Sequence, residues 1–480
     1  RSGEDISSGY YNTFAGMDSG ANTQEGYENV SMGYRALFTN THGRHVVAIG
    51  AQALDVANPS SASSTYNVGV GYGAGLAVST GARNTLVGGL VGRTMSTAND
   101  NTHVGTFAGY YNSTGSQNTF LGSQAGHSFA TDNLTGGYNT AIGYTAGQYI
   151  RGGAVANTYV GALSAGSTVT AAGSGSHNTS LGAEALYTIT TGGSNVAIGY
   201  QAGAGLLAGS YNVAIGREAL ETEDDHNGNV AIGYRAMRFL NAAQNADNTA
   251  IGYQAMQSMT LGIYNVAIGR NALEADDVGS RNVAIGNYAL KSQNAPGASA
   301  NNMNNVAVGY VSQYVGTSGS NNTSVGNNSL RNNTGSGNVA LGYQAAYSNS
   351  SGALTAVGYQ AGYSNTTAGG LAIVGYQAGY SNTTGANNTY MGVLAGYDNS
   401  TGELNAGFGR SALENATGDR NTAMGSNALQ TLTSGTHNTA IGQGSGYAIT
   451  TGSKNTILGA YSGNQGGLDI RTSSNNIVLS

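Results

Sequence analysis

The sequence predicts an all-β fold, a parallel β-solenoid (β-roll) of about 26 coils with a roughly 17-residue repeat, assembled as a homotrimeric rod. Three observations predict the solenoid. A five-residue word, Asn265-Val266-Ala267-Ile268-Gly269, is spelled identically at Asn212 to Gly216 and at Asn282 to Gly286. With some slack in its middle positions the word ends on 26 glycines from Gly16 to Gly459, and 16 of the 25 intervals between them are 17 residues. Composition agrees: charged residues are 8% of the 480-residue chain, and 78 glycines stand against two prolines. Such a chain bends often through positive backbone angles and rarely loses an amide from a ladder.

Within the word the branched residues sit two apart with Ala between them, the alternation of a strand whose two faces differ. Val or Thr and then Ile are expected to point inward as aliphatic ladders, with Asn and Ala on the other face. After the glycine, segments such as Tyr34-Arg35-Ala36-Leu37 and Tyr253-Gln254-Ala255-Met256 read as a second short strand. The remainder, as in Ser381-Asn382-Thr383-Thr384-Gly385, is turn chemistry. A coil of this size holds no core alone, so coils stack at a strand spacing of about 4.8 Å, giving a rod on the order of 125 Å. Asn opens 23 of the 26 words, the exceptions being Val46, Leu354 and Leu371, and an amide-to-amide ladder is expected there. The two rows of alanine are expected to form a flat face that packs against copies of the same chain, three around an axis.

Along the chain, residues 1–459 read as one continuous repeat shaft, and 460–480 as an irregular C-terminal coil, truncated or cleaved ahead of a further domain. The opening Arg1-Ser2-Gly3 reads as a processed or partial piece. Lengthened spacers after Gly50 and Gly286 contain Pro59 and Pro296, where a loop can leave the stack without removing a ladder bond. Residues 90–100 and 166–176 are irregular but keep the period. From Gly342 to Gly392 the coils become nearly identical, with Tyr343-Gln344-Ala345, Tyr359-Gln360-Ala361 and Tyr376-Gln377-Ala378.

The functional classes narrow accordingly. A formal charge of −6 with no basic stripe argues against nucleic acid. The absence of cysteine removes disulfides and thiolate metal sites. No apolar run approaches a membrane span. The glycines follow the repeat rather than a strand-to-helix phosphate loop. Acidic clusters occur at Glu221-Thr222-Glu223-Asp224-Asp225 and Glu274-Ala275-Asp276-Asp277. They read as solvated turns, with separate calcium sites as the alternative. A polysaccharide-degrading site would need a carboxylate pair across a cleft, which these acids do not supply. No enzyme, cofactor, catalytic residue or resident metal is therefore expected, and no receptor-binding residue is assigned. Among the seven histidines, His103 replaces the motif alanine; on a threefold axis three copies would converge and could hold a metal or an anion. The 31 tyrosines read as stabilising ladders, with a sugar-binding stripe as the alternative.

The Asn-Val-Ala-Ile-Gly word resembles the repeat of YadA-type adhesin heads, which are trimeric left-handed parallel β-rolls with a shorter bend. The longer form at Gly375 to Gly385 is similar to repeats in tail fibres of tailed bacteriophages, particularly those of aquatic hosts. The ending, Asn464 to Ser480, resembles the segment that precedes the self-cleaving intramolecular chaperone of such fibres. The resemblance implies a structural and adhesive protein, the trimeric tail-fibre shaft of a phage virion used for host attachment, located on the tail fibre or an extracellular surface. Its implied partners are itself, a cell-surface glycan or protein receptor, and other virion or fibre proteins, with no nucleic acid and no membrane insertion. A bacterial trimeric adhesin head or surface filament is the alternative. That family would carry a heptad stalk and a membrane-anchoring barrel, neither of which this sequence shows. A monomeric solenoid that binds ice or polysaccharide is the further alternative.

Overall fold

A computed structural model of the chain describes residues 2–61, 63–128, 132–166, 173–223, 225–241, 245–297, 301–316 and 318–480. It is a parallel β-solenoid of about 26 turns with spacing near 17 residues, and no helix occurs among the described residues. Two compact units, Arg1–Ala246 and Asp247–Ser480, are each built from the same coil. Part of the irregular stretch at 166–176 lies outside the described residues.

Each coil contributes one short strand, the three residues before the motif glycine. In the first unit these run from Thr13–Ala15 to Val230–Ile232, and in the second from Thr249–Ile251 to Thr456–Leu458, with Ile477–Leu479 stacked after them ahead of Ser480. Neighbours are parallel with like facing like: Val196, Ala197 and Ile198 pair with Val213, Ala214 and Ile215. In the second unit Val266, Ala267 and Ile268 pair with Val283, Ala284 and Ile285. Where Leu replaces the motif Asn, the strand gains a residue, as Leu354–Val357 and Leu371–Val374. The final coil departs through a small antiparallel pair, Asn464–Gln465 with Leu468–Asp469. It then returns to register, Thr456 opposite Ile477.

The strand is short because both ends are left-handed. The residue before each motif Asn has positive φ, as at Tyr11 (57°), Glu28 (57°) and Tyr138 (61°), and the motif glycine follows at φ such as 125° in Gly16 and 130° in Gly33. Glycine is required there twice over. A Cβ on Gly16 would stand 2.8 Å from the Gly33 carbonyl oxygen, and one on Gly33 would stand 2.7 Å from the Gly50 carbonyl carbon.

Two expectations about the coil are corrected. The interior is on the opposite face of the strand: motif alanines such as Ala48, Ala141, Ala197, Ala267 and Ala284 are wholly buried, and so are most motif asparagines. The flanking Val or Thr and Ile face outward. Alternation shows that two faces differ without saying which is inward. The deciding feature is the narrow coil, which has room for a methyl at the strand because the large apolar groups come from elsewhere. Four residues after the glycine come Leu37, Leu54, Leu220, Leu273 and Leu413, and seven after it Met95, Leu206, Leu240 and Leu432, all fully buried. The alanine three after the glycine is buried too, for example Ala36 and Ala255. Neither row of alanine is therefore a surface, and no inter-chain seam can be built on them.

The second segment is not a strand. Its residues alternate into the left-handed region, as at Arg35 (53°) and Leu37 (55°), or Gln254 (55°) and Met256 (51°). It still bonds between coils, with the Leu37 N–H donating to Ala53 O at 2.9 Å and the Arg35 N–H to Met17 O at 3.0 Å.

The core is filled by exchange of volume within a coil. In several coils Ala at the strand accompanies Leu or Met four after the glycine, as Ala48 with Leu54 and Ala250 with Met256, whereas the rings of His103, Phe120 and Tyr390 accompany Gly109, Gly126 and Gly396. His103 sits over Gly109 and Phe120 over Gly126, where a Cβ would meet the rings at 2.7 and 2.5 Å. Close packing leaves no room for both groups.

The asparagine row works differently from a simple amide ladder. Asn12 Oδ1 accepts the Asn29 N–H at 3.0 Å, and Asn29 Oδ1 accepts the Val46 N–H at 2.9 Å. Asn29 Nδ2 donates to Gly43 O, in the bend of the next coil, at 3.0 Å. The amide thus satisfies two buried backbone groups where the chain turns. Direct amide-to-amide bonds occur in addition, such as Asn101 Nδ2 to Asn84 Oδ1 and Asn438 Nδ2 to Asn421 Oδ1, each 3.1 Å.

Candidate interaction faces

With Asn and Ala turned inward, the strand presents Val or Thr and an aliphatic residue to the outside in coil after coil. In the first unit Ile49 is 37% and Leu181 51% exposed; in the second Ile268 is 37% and Leu341 48% exposed. Met32, Ile142, Ile198, Ile285, Met391, Met424, Ile441 and Leu458 continue the row. Isolated exposed aliphatics need no explanation, but a row of them at strand spacing is a continuous apolar stripe. Six successive coils of the first unit carry Thr beside it, Thr85, Thr102, Thr119, Thr140, Thr158 and Thr179.

The side that follows the glycine is closed by its own contacts. In the second unit Tyr347, Tyr363, Tyr380 and Tyr397, each five residues after a motif glycine, stack with centroids 5.0, 5.1 and 5.2 Å apart. Tyr343, Tyr359 and Tyr376 form a second stack at 5.3 and 5.1 Å. Between these rows in sequence, Gln360 Nε2 donates to Gln344 Oε1 at 2.8 Å and Gln377 Nε2 to Gln360 Oε1 at 2.9 Å. Ring faces used by neighbouring rings are not open to a sugar, so these stacks are ladders. In the first unit the corresponding side carries an ion-pair cluster over the coils that follow Gly216 and Gly233. Glu218 accepts from Arg217 at 2.8 Å and Arg235 at 2.7 Å, and Arg238 bonds to Glu221. Burial pushes the Glu218 carboxyl up, yet the Arg235 and Arg217 guanidiniums hold it below its ordinary value.

No protein-family model matches this chain, and no curated protein matches it. Its surfaces must therefore be judged by their own chemistry.

His103 is corrected in place and role. Its ring lies wholly inside its own coil, stacked on Phe120 at 4.6 Å with 7° between planes. Asn112 Nδ2 donates to Nε2 at 3.2 Å, which makes the ring the neutral Nδ1–H tautomer. Burial pushes its pKa down to about 3. Facing its own core, it cannot converge with copies on a shared axis.

The acidic clusters are also not simply solvated. Asp224 lies outside the described residues, but Glu223 and Asp276 are fully buried. Glu223 Oε1 lies 2.5 Å from His226 Nδ1. Asp276 Oδ1 accepts the Gly279 N–H at 2.9 Å and the Ala295 N–H at 3.2 Å, and Oδ2 accepts Gln293 Nε2 at 2.6 Å. Burial pushes the Asp276 carboxyl up. Both acids stand seven residues after a motif glycine, the place held by Asn40, Asn112 and Asn333 in other coils. That spacing is the signal by which they are recognised as caps of buried bends. Among the described residues, no group of three or more His, Asp or Glu side chains is placed to hold a metal ion.

Proposed function

We propose that this chain is the shaft of a homotrimeric fibre, a structural and adhesive element that holds attachment sites away from its base, as in the tail fibre of a phage virion. The reading is carried by the outward apolar stripe of Val, Ile and Leu along the strand side of both units. Water contact along such a stripe is unfavourable by about 25 cal/mol per Å² of apolar area. Three identical chains turning this side to a common axis would bury it with closed symmetry. The seam is thus assigned to the aliphatic residues rather than to alanine. The resemblance of the coil to tail-fibre repeats supports a virion setting, and multivalency would give the shaft its mechanism, since three chains present three copies of any weak site. No chemistry is required of it.

The run from Thr85 to Thr179 favours one second reading, a monomeric solenoid that lays this side on an ordered surface such as ice or crystalline polysaccharide. The mass of the intact chain in solution separates the two. A trimer supports the fibre, whereas a monomer that shapes ice crystals or sediments with polysaccharide supports the alternative.

A further inference from the structure

The ring and amide ladders of the second unit run from Tyr343 to Tyr397, and the coils just before them break the pattern. There, around Tyr288, Tyr310, Val311, Tyr314 and Arg331, the turn side opens into a cavity of about 180 Å³. The opening follows from the sequence of two coils. Val311, two residues after its glycine, stands where Gln344, Gln360 and Gln377 form the amide ladder, so the floor is short and apolar. Asn327 follows Gly326 where a tyrosine would extend the row from Tyr310, and Arg331 follows Tyr314 in the row that otherwise stacks rings.

The rings here accordingly do not stack in parallel. Tyr288 meets Tyr310 at 6.3 Å and 76° and Tyr314 at 6.4 Å and 75°, edge to face. None of the three phenol oxygens has a hydrogen-bond partner among the described residues. Tyr310 is 52% exposed. Arg331 donates one bond, Nη1 to the Tyr347 hydroxyl at 2.8 Å, and has no carboxylate partner among the described residues. Lys291, whose ammonium lies over the Tyr288 and Tyr314 rings at 5.3 and 5.8 Å, is by contrast already matched by Glu274 at 3.6 Å.

We infer that this cavity is a binding site for one acidic sugar residue, a pyranose that carries a carboxylate. The volume is on the order of six waters at roughly 30 Å³ each, the scale of one substituted pyranose ring. The exposed Tyr310 ring offers apolar contact to the C–H face of a sugar, while Tyr288 and Tyr314, which lie against the Lys291 and Arg331 cations, offer their edges and hydroxyls to its polar rim. The guanidinium of Arg331 has the planar donor geometry that a carboxylate matches in two bonds. The inference deepens the attachment reading by naming a ligand class, and it rests on that reading only for its biological setting. The cavity belongs to a single chain.

The test is ligand-observed NMR titration of the full chain with methyl glucuronoside and, as neutral control, methyl glucoside. The glucuronoside is expected to bind more tightly. Arg331→Gln is expected to weaken it by about tenfold while leaving the glucoside within about twofold. Tyr310→Ala is expected to weaken both sugars. Val311→Gln, which restores the residue other coils carry at a similar backbone angle, is expected to close the cavity and abolish both without disturbing the coil. No binding of the glucuronoside, equal binding of the two sugars, or unchanged affinity in Arg331→Gln or Val311→Gln would overturn the site. Light scattering on the same sample keeps the two readings apart: a trimer that binds neither sugar removes only the site, and a monomer that binds the glucuronoside removes only the trimer.

Discussion

On the strand side, Ile268 and Ile285 stand side by side in a row that continues to Ile251 and Val308, partly in water. On the turn side, Tyr363 lies between two rings at 5.0 and 5.1 Å, and Gln360 both gives and accepts an amide bond. Both sides repeat with the same period, yet one satisfies itself coil by coil and the other leaves its apolar groups unsatisfied. Periodicity along a solenoid therefore says little about which side is finished. What distinguishes them is whether each side chain finds its like partner within contact distance in the next coil. Rings at strand spacing do, and branched aliphatics still leave their outer surface bare.

The contrast presumes a rigid interior shared by both sides, and the strongest perturbation is to overfill it. Gly126→Leu keeps a backbone angle that Leu37 and Leu54 already adopt, but it drives a side chain into the Phe120 ring. It is expected to destabilise by roughly 3 kcal/mol or more in chemical unfolding. Adding Phe120→Ala should restore stability to within about 1 kcal/mol of the parent, since the pair then matches the Ala-with-Leu coils.

A break confined to the strand side comes next. Ile268→Asp with Ile285→Asp places two carboxylates on the stripe, and association is expected to weaken by about 100-fold or more because each charge would be buried unpaired. The circular dichroism of the coil should be retained. The measurement is mass against concentration by sedimentation.

Acid tests the interior through His103. Its folded pKa of about 3 lies below the ordinary 6.5, so between those values the folded state binds fewer protons than the unfolded one. The contribution is fully present above pH 6.5 and is lost as pH falls towards 3. By pH 4 the loss is on the order of 3 kcal/mol. His103→Phe, which copies Phe120 in the next coil, should flatten the difference between melting curves at pH 7 and pH 4.

The smallest effect is expected on the turn side. Tyr363→Ala removes one ring from a stack of four and should lower stability by about 1 kcal/mol, with the mass unchanged. A change of mass in this variant would mean that the ladders, rather than the aliphatic stripe, hold chains together.

Much of this was legible in the residues. The Asn-Val-Ala-Ile-Gly word placed the strand of each coil from Thr13–Ala15 to Thr456–Leu458, though not the two-residue strands of the bends such as Gly43–Arg44, and the motif glycines marked the turns where Gly16 and Gly33 approach their neighbours too closely for a Cβ. The direction of the strand was not legible from it, because alternation is symmetric and Val and Ile are ordinarily the buried pair. The corrective signal lay six residues further on, where Leu54 and Leu220 accompany Ala48 and Ala214, and Gly109 and Gly126 accompany a ring. That exchange fixes the inward row by volume. The sugar cavity was hidden for a related reason: a tyrosine row reads as continuous until one asks which coils lack the next ring, as Asn327 and Arg331 do.

The most direct test of the central claim is the mass of the unmodified chain in solution, by light scattering without denaturant. A mass near three times 48.2 kDa is expected if the aliphatic stripe is an inter-chain seam. A mass of 48.2 kDa at micromolar concentration would contradict it, leaving the stripe exposed on a single chain.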